Sequence, residues 1–140
     1  MLAASAASSV EAGACRILVV EDNEDVAEVL RELLLLDGHT VEVASDGASA
    51  LAQAPDFDPS VVLVDIGLPD LDGYEVGRRM RTLLPRAITL VALTGYNTPD
   101  DKRQAVEAGF DAHLVKPIDH GTLAAILARS SAPAPAPASG

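Results

Sequence analysis

Residues 61–73 read VVLVDIGLPDLDG, an apolar run that stops at Asp65 and passes into a turn. An uninterrupted apolar run of this length is typical of a parallel strand that helices cover on both faces. The two glycines and Pro69 predict a defined turn after the strand. The stretch therefore predicts an α/β fold with Asp65 at the carboxyl end of a buried strand, where such folds place ligands and chemistry.

Three further apolar runs also end on polar residues. Residues 17–20, 90–93 and 114–115 are followed, respectively, by Glu21 and Asp22, by Thr94, and by Lys116. The carboxyl ends of parallel strands share one edge of a sheet. The sequence therefore predicts that carboxylates, a hydroxyl and an ammonium converge at that edge.

Helical spacing of apolar residues alternates with these strands, and residues 40–44 predict a further, edge-like strand. Helix starts are expected at the capping residues Asn23, Asp46, Asp72, Thr98 and Asp119, with the Asp46 helix ending before Pro55. Five strand–helix repeats predict a flavodoxin-like (βα)5 three-layer sandwich with a five-stranded parallel sheet of order 2-1-3-4-5. In that order Asp22 and Asp65 lie side by side.

The 140 residues predict one domain over 15–130, preceded by a flexible Ala/Ser-rich leader over 1–14 and followed by a disordered Pro/Ala-rich tail over 131–140. The leader lacks the basic and long apolar segments of a signal peptide, which favours a cytoplasmic protein. The net charge of −11 disfavours direct binding to nucleic acid or to a membrane. A single cysteine, Cys15, excludes an intramolecular disulfide framework and a cysteine-based zinc site.

The converging residues predict a magnesium site with a nucleophile. Carboxylates of Glu21, Asp22 and Asp65 would repel one another by about 4 kcal/mol per pair at ~4 Å, which a hard cation bound by oxygens, Mg²⁺ above all, would offset. Asp65 could then act as a nucleophile toward phosphorus. Lys116 supplies a positive charge for a phosphoryl oxygen, and a cis bond to Pro117 would turn that ammonium inward.

Four segments in order, VVEDN (19–23), VDIGLPDLDG (64–73), ALTG (92–95) and VKPI (115–118), closely resemble the receiver, or response-regulator, domain of two-component signalling. The resemblance covers about residues 16–129. It implies a switch module, not a multiple-turnover enzyme.

The resemblance also implies residue roles. Asp65 is the expected phosphoacceptor, taking a phosphoryl group from a histidine kinase or a histidine phosphotransfer protein. The implied Mg²⁺ ligands are Asp22, Asp65 and the Gly67 carbonyl, with Glu21 acting directly or through water.

Further implied roles concern the response to phosphorylation. Thr94 and Lys116 would bind the aspartyl phosphate and shift the domain to its active state, which a downstream protein would read on the face of helix 4, strand 5 and helix 5. Gly95 leaves access to the phosphoryl group, and Gly67 and Tyr96 occupy the positions that tune dephosphorylation.

One position departs from the family pattern. Three residues before Lys116 the family usually has Tyr or Phe, whereas this chain has His113. The histidine either fills a structural place or replaces the aromatic switch residue, in which case it would add pH sensitivity. An output that does not change between about pH 6 and 8 would contradict the second interpretation.

Three alternatives stay open at this point. A phosphatase with an aspartate nucleophile typically needs a second acid where Gly67 lies, and a flavodoxin-type flavin protein would not place acids 21, 22, 24 and 25 around a phosphate. A degenerate receiver would keep the fold without phosphorylation. The LPDLDGYE and LTGY segments somewhat resemble receivers of hybrid histidine kinases, from which this domain would then be a fragment.

Overall fold

The computed structural model describes residues 15–68, 70–84, 87–95 and 99–130, with the side chains of 99–102 and 130 excepted. Within these ranges five strands alternate with five helices: β1 Arg16–Val20, α1 Glu24–Leu36, β2 Thr40–Ala44, α2 Gly47–Phe57, β3 Val61–Asp65, α3 Gly73–Leu83, β4 Thr89–Thr94, α4 Pro99–Glu107, β5 Ala112–Val115 and α5 His120–Ser130. None of these helices is long and apolar enough to cross a bilayer. The predicted leader, the predicted tail and Thr98 lie outside the described residues.

The strands form one parallel sheet of order β2-β1-β3-β4-β5, which confirms the predicted flavodoxin-like topology. The central strands β1 and β3 are neighbours, with Val20 paired to Val64. The residues that follow this pair, Glu21 and Asp65, therefore lie next to each other at the carboxyl edge. On the other side, Thr94 at the end of β4 pairs with Val115 of β5, directly before Lys116.

Two apolar layers cover the sheet, because alternate strand residues point to opposite faces. One layer packs β residues such as Val62 and Leu90 against α2, α3 and the α4 segment that carries Ala105. The other packs residues such as Leu63 against α1 and α5. The runs are apolar throughout because both faces of the central strands are buried.

Side-chain caps set the starts of four helices where the sequence predicted them. The carboxylate or amide oxygens of Asn23, Asp46, Asp72 and Asp119 accept hydrogen bonds from backbone N–H groups of the first helical turn. Each cap satisfies donors that have no partner within the helix.

The end of α2 differs from the prediction, since the helix continues through Pro55 to Phe57. Tertiary contacts explain the extra residues: Phe57 is buried, and its carbonyl accepts hydrogen bonds of 2.8 and 2.6 Å from the Arg16 guanidinium. The guanidinium also lies 4.5 Å from the centre of the Phe57 ring. These contacts compensate for the hydrogen bond that proline cannot donate.

A buried histidine, His39, forms a hydrogen bond at the opposite, amino-terminal edge of the sheet. His39 Nδ1 accepts a hydrogen bond of 2.9 Å from the backbone N–H of Cys15, the residue directly before β1. Burial lowers the pKa of His39, an effect that the nearby charge of Asp37 partly opposes. The imidazole is therefore held neutral, with Nδ1 as an acceptor.

Candidate functional site

Three carboxylates meet at the carboxyl edge of β1 and β3. One oxygen each of Glu21, Asp22 and Asp65 lies within 4.8 Å of the other two. Glu21 is 1% exposed and Asp65 is 7% exposed, whereas Asp22 faces solvent. The site thus joins two buried acids to one that water reaches.

Lys116 is the cation nearest to these acids among the described residues. Its Nζ lies 2.8 Å from Glu21 Oε1 and 3.4 Å from Asp65 Oδ1. Oε1 is buried, and apart from this ion pair it has no hydrogen-bond partner among the described residues. The other oxygen, Oε2, accepts a hydrogen bond of 3.1 Å from the backbone N–H of Asn23.

The ion pair between Lys116 and Glu21 influences the pKa of both side chains. Burial raises the pKa of Glu21, and the charge of Asp65 adds to this, while Lys116 and the Asn23 N–H act in the opposite direction. Burial of the Lys116 ammonium works to lower its pKa, but the close contact with Glu21 and the charges of Glu21 and Asp65 outweigh it, so the pKa is raised. Lys116 therefore carries its charge throughout the physiological range.

The donor set fits a divalent cation that prefers oxygen. Among the described residues three carboxylates face a single ammonium, and the buried Glu21 Oε1 has no partner besides that ammonium. Hard cations such as Mg²⁺ take carboxylate oxygens and retain several waters, for which the exposed side of Asp22 leaves room.

The loop after β3 folds back on its own aspartate. The backbone N–H of Gly67 donates a hydrogen bond of 3.0 Å to Asp65 Oδ1. Gly73, at the start of α3, packs so closely on the loop that a Cβ there would lie 2.6 Å from the Asp65 carbonyl oxygen. This close approach explains why residue 73 is glycine, since a side chain there would clash with the backbone of the loop.

Asp70, in the same loop, has a role that the sequence did not suggest. Its carboxylate accepts hydrogen bonds from the backbone N–H groups of Gly47 (2.9 Å) and Ala48 (3.0 Å), at the start of α2. These bonds lower the pKa of Asp70, with the Gly47 bond as the largest cause. Gly47 is 23 positions away, so no local pattern reveals the contact.

The remaining predicted site residues surround this centre. Thr94 is buried at the end of β4, and its carbonyl accepts a hydrogen bond of 2.8 Å from the Lys116 N–H. Gly95 is exposed, with open space where a Cβ would lie. The Lys116–Pro117 bond is cis. Tyr96 lies outside the described residues.

His113 shares a sheet face with Thr94. It pairs with Ala92 while Thr94 pairs with Val115, so alternation places the two side chains diagonally on the face that α4 covers. His113 is half-buried. The aromatic position of the family pattern is thus occupied by a histidine that lies beside the end of β4.

Several grooves open on the described part of the surface, and two of them have strongly apolar linings. One of 250 Å³ lies next to the acidic cluster, between α1 and the segment after β5, and includes Val29, Lys116 and Ile118 in its lining. The other, of 610 Å³, lies between α2 and α3 and is lined by residues such as Leu51 and Arg78.

Comparison with known proteins gives a consistent match. Residues 17–128 match the response regulator receiver domain family. A 14.6 kDa protein of Leptolyngbya boryana is 37% identical over 105 residues, which are 74% of this chain and 79% of that protein. The transcriptional regulatory protein PrrA of Mycobacterium leprae is 38% identical over 117 residues, 84% of this chain and 48% of PrrA, so this chain spans about half of PrrA.

Solved structures agree. The receiver domain of sensor histidine kinase PA1611 from Pseudomonas aeruginosa, which has a magnesium ion coordinated in its active-site cleft, is 32% identical with a TM-score of 0.76, covering 84% of this chain and 98% of that one. A CheY-like receiver domain protein of Methanospirillum hungatei is 28% identical with a TM-score of 0.77, covering 83% and 92%.

The relatives include a sensor-kinase receiver and a transcriptional regulator, so the match does not assign the chain to either class of full-length protein. Receiver domains are phospho-accepting signalling switches, not classical enzymes, and they pair with histidine kinases. On the extent of the family match and the identity of these relatives, the chain belongs to the response regulator receiver domain family.

Proposed function

We propose that Asp65 accepts a phosphoryl group from a histidine kinase or a histidine phosphotransfer protein, in a reaction that requires Mg²⁺. One observation carries the proposal: the buried Asp65 carboxylate lies at the carboxyl edge of the sheet, within a three-acid cluster and 3.4 Å from the Lys116 ammonium. Proposed Mg²⁺ ligands are Glu21, directly or through water, Asp22, Asp65 and the Gly67 carbonyl.

The transfer follows from the residues at the site. A carboxylate oxygen of Asp65 attacks the phosphorus of a phosphohistidine, and the new P–O bond forms as the P–N bond breaks. The bonding electron pair leaves with the imidazole nitrogen. Lys116 contacts a phosphoryl oxygen, and Mg²⁺ held by the proposed ligands would neutralise charge on the group in transfer.

The groove beside the cluster supports docking of the phosphodonor. Lys116 lines it together with apolar residues of α1 and of the segment after β5, and Val29 is 57% exposed there. A donor protein seated on this groove would bring its histidine to the edge of the sheet where Asp65 lies.

Residues at the end of β4 and on β5 support the proposed response to phosphorylation. The Thr94 hydroxyl would bind a phosphoryl oxygen on Asp65, and His113 shares its sheet face. Val106 of α4 is 72% exposed and Val115 of β5 is 36% exposed, so α4 and β5 each carry an exposed apolar side chain. We propose that a downstream protein reads the face of α4, β5 and α5 after phosphorylation biases the domain between two states.

The test is intact-mass spectrometry after incubation with a small acyl phosphate, with and without Mg²⁺. We expect the wild type to gain one phosphoryl group only when Mg²⁺ is present. Asp65→Asn should gain none, whereas Asp56→Asn, which removes an exposed acid of α2, should behave as the wild type. Phosphoryl transfer to Asp65→Asn, or no transfer to the wild type from both the acyl phosphate and a set of purified kinases, would contradict the proposal.

A further inference from the structure

The first turn of α2 has its free N–H groups satisfied by two different aspartates. Asp46, the residue directly before the helix, accepts a hydrogen bond of 2.7 Å from Ser49. The N–H groups of Gly47 and Ala48 are bound instead by Asp70, which belongs to the loop after the proposed phosphoacceptor. A local cap alone would leave these two donors to water.

The contact between the start of α2 and the loop is closely packed as well as hydrogen-bonded. A Cβ at Gly47 would lie 3.1 Å from Leu71 and 2.8 Å from Val76, so the start of α2 rests directly against the loop and the first turn of α3. Asp70 and its neighbour Leu71 thus hold the loop against a helix that belongs to another part of the chain.

The loop between Asp65 and Gly73 is therefore held at both ends. At its beginning Gly67 donates to Asp65, and at its end the Gly73 N–H donates a hydrogen bond of 3.3 Å to the Ile66 carbonyl. Asp70 anchors the intervening segment to α2. Gly67, whose carbonyl is a proposed Mg²⁺ ligand, lies between these anchors and is exposed.

We infer that Asp70 is a positioning residue that holds the loop on the start of α2 and so places the Gly67 carbonyl for the metal. The inference rests on the proposed function, because it concerns the same metal site. Within the described residues the hydrogen bonds of the Asp70 carboxylate come from backbone N–H groups. Groups that hydrogen-bond directly to metal ligands typically change metal affinity by about 10–100-fold when they are removed, and Asp70, which acts through the loop, is expected at the lower end of that range.

The variants separate positioning from helix capping. Asp70→Ala removes both acceptors, and Asp70→Asn keeps one of them in nearly the same shape. Asp46→Ala is the matched control, because it removes a cap from the same helix whose hydrogen bond goes to Ser49 of α2. The measurements are amide hydrogen exchange of Gly67 in the metal-free protein and the Mg²⁺ dissociation constant by calorimetry.

We expect Asp70→Ala to weaken Mg²⁺ binding by about tenfold and to speed Gly67 exchange by a similar factor beyond the Asp46→Ala control. Asp70→Asn should give the same two changes with smaller magnitude. This second variant keeps the test decisive if Asp70→Ala does not fold. Equal exchange and equal Mg²⁺ affinity in the Asp70 and Asp46 variants would show that Asp70 is only a helix cap, and would overturn the inference alone. A wild type that binds no Mg²⁺ would overturn the metal site of the proposed function and this inference with it.

Discussion

Replacement of Lys116 by methionine is expected to destabilise the metal-free protein by about 2–3 kcal/mol. Methionine keeps most of the apolar stem but removes the ammonium that lies 2.8 Å from Glu21 and 3.4 Å from Asp65. Removing one partner of a buried ion pair typically costs about 3–5 kcal/mol, because the other charge stays buried. The Lys116 side chain is 25% exposed, so water reaches the pair and the expected cost falls below that range.

The same variant should respond more strongly to Mg²⁺. The ammonium competes with a metal for Glu21 Oε1 and Asp65 Oδ1, so its removal leaves three carboxylates free to bind the cation. At a free concentration of 100 times the dissociation constant, a ligand stabilises the folded state by about 2.7 kcal/mol. Tighter binding in Lys116→Met should make its stabilisation by Mg²⁺ larger than that of the wild type at equal concentration.

Urea unfolding followed by circular dichroism, in EDTA and in Mg²⁺, measures both effects. Arg31→Met is the control, because it removes one positive charge from an exposed ion pair of 3.9 Å with Glu28. Surface pairs of this kind contribute about 0–1 kcal/mol, so the control should stay close to the wild type in both buffers. The reasoning is refuted if Lys116→Met is as stable as Arg31→Met in EDTA, or if Mg²⁺ stabilises it less than the wild type.

Two further predictions concern the fold. Burial lowers the pKa of His39, so the unfolded chain binds a proton more readily than the folded protein does, and the stability present above about pH 6.5 should decline as pH falls below it. Urea midpoints measured above and below about pH 6.5 should show this decline in the wild type but much less in His39→Asn, whose Oδ1 can still accept from Cys15. Gly77→Ala should destabilise by about 1–2 kcal/mol. Its Cβ would lie 2.5 Å from the Phe110 ring, so the overpacking cost should fall in the upper part of the usual range of about 1–3 kcal/mol and exceed the helix-propensity gain of at most ~1 kcal/mol. A urea midpoint at or above that of the wild type would count against the clash.

Much of the fold follows from the sequence because its signals are local. Buried parallel strands must be apolar on both faces, and helix starts need an acceptor for free N–H groups, so apolar runs and capping residues both leave marks in short stretches. No short stretch of the sequence indicated where α2 ends. Its last turn depends on Arg16, which is 41 positions from Phe57 and binds its carbonyl.

The candidate site likewise has features that the sequence predicted and features that it did not. Strand ends predicted that Glu21, Asp65 and Lys116 would meet, since all three leave the sheet at one edge. The sequence did not distinguish Glu21, which is 1% exposed, from the exposed Asp22, because burial at a strand end depends on what packs over it. The contact between Asp70 and α2 was also beyond sequence reasoning, since no periodicity links residues 23 positions apart.

The charges of the site also explain why phosphorylation and cation binding should depend on each other. Asp65 carries one negative charge as a carboxylate and about two once phosphorylated. Each added like-charge pair with Glu21 or Asp22 costs about 4 kcal/mol at ~4 Å and an effective dielectric of ~20. Lys116 already neutralises part of the charge of Glu21 and Asp65 before any phosphoryl group arrives. If Asp65 is phosphorylated as proposed, the ammonium would not offset the added charge alone, and the phosphorylated state would need a second cation among these three acids.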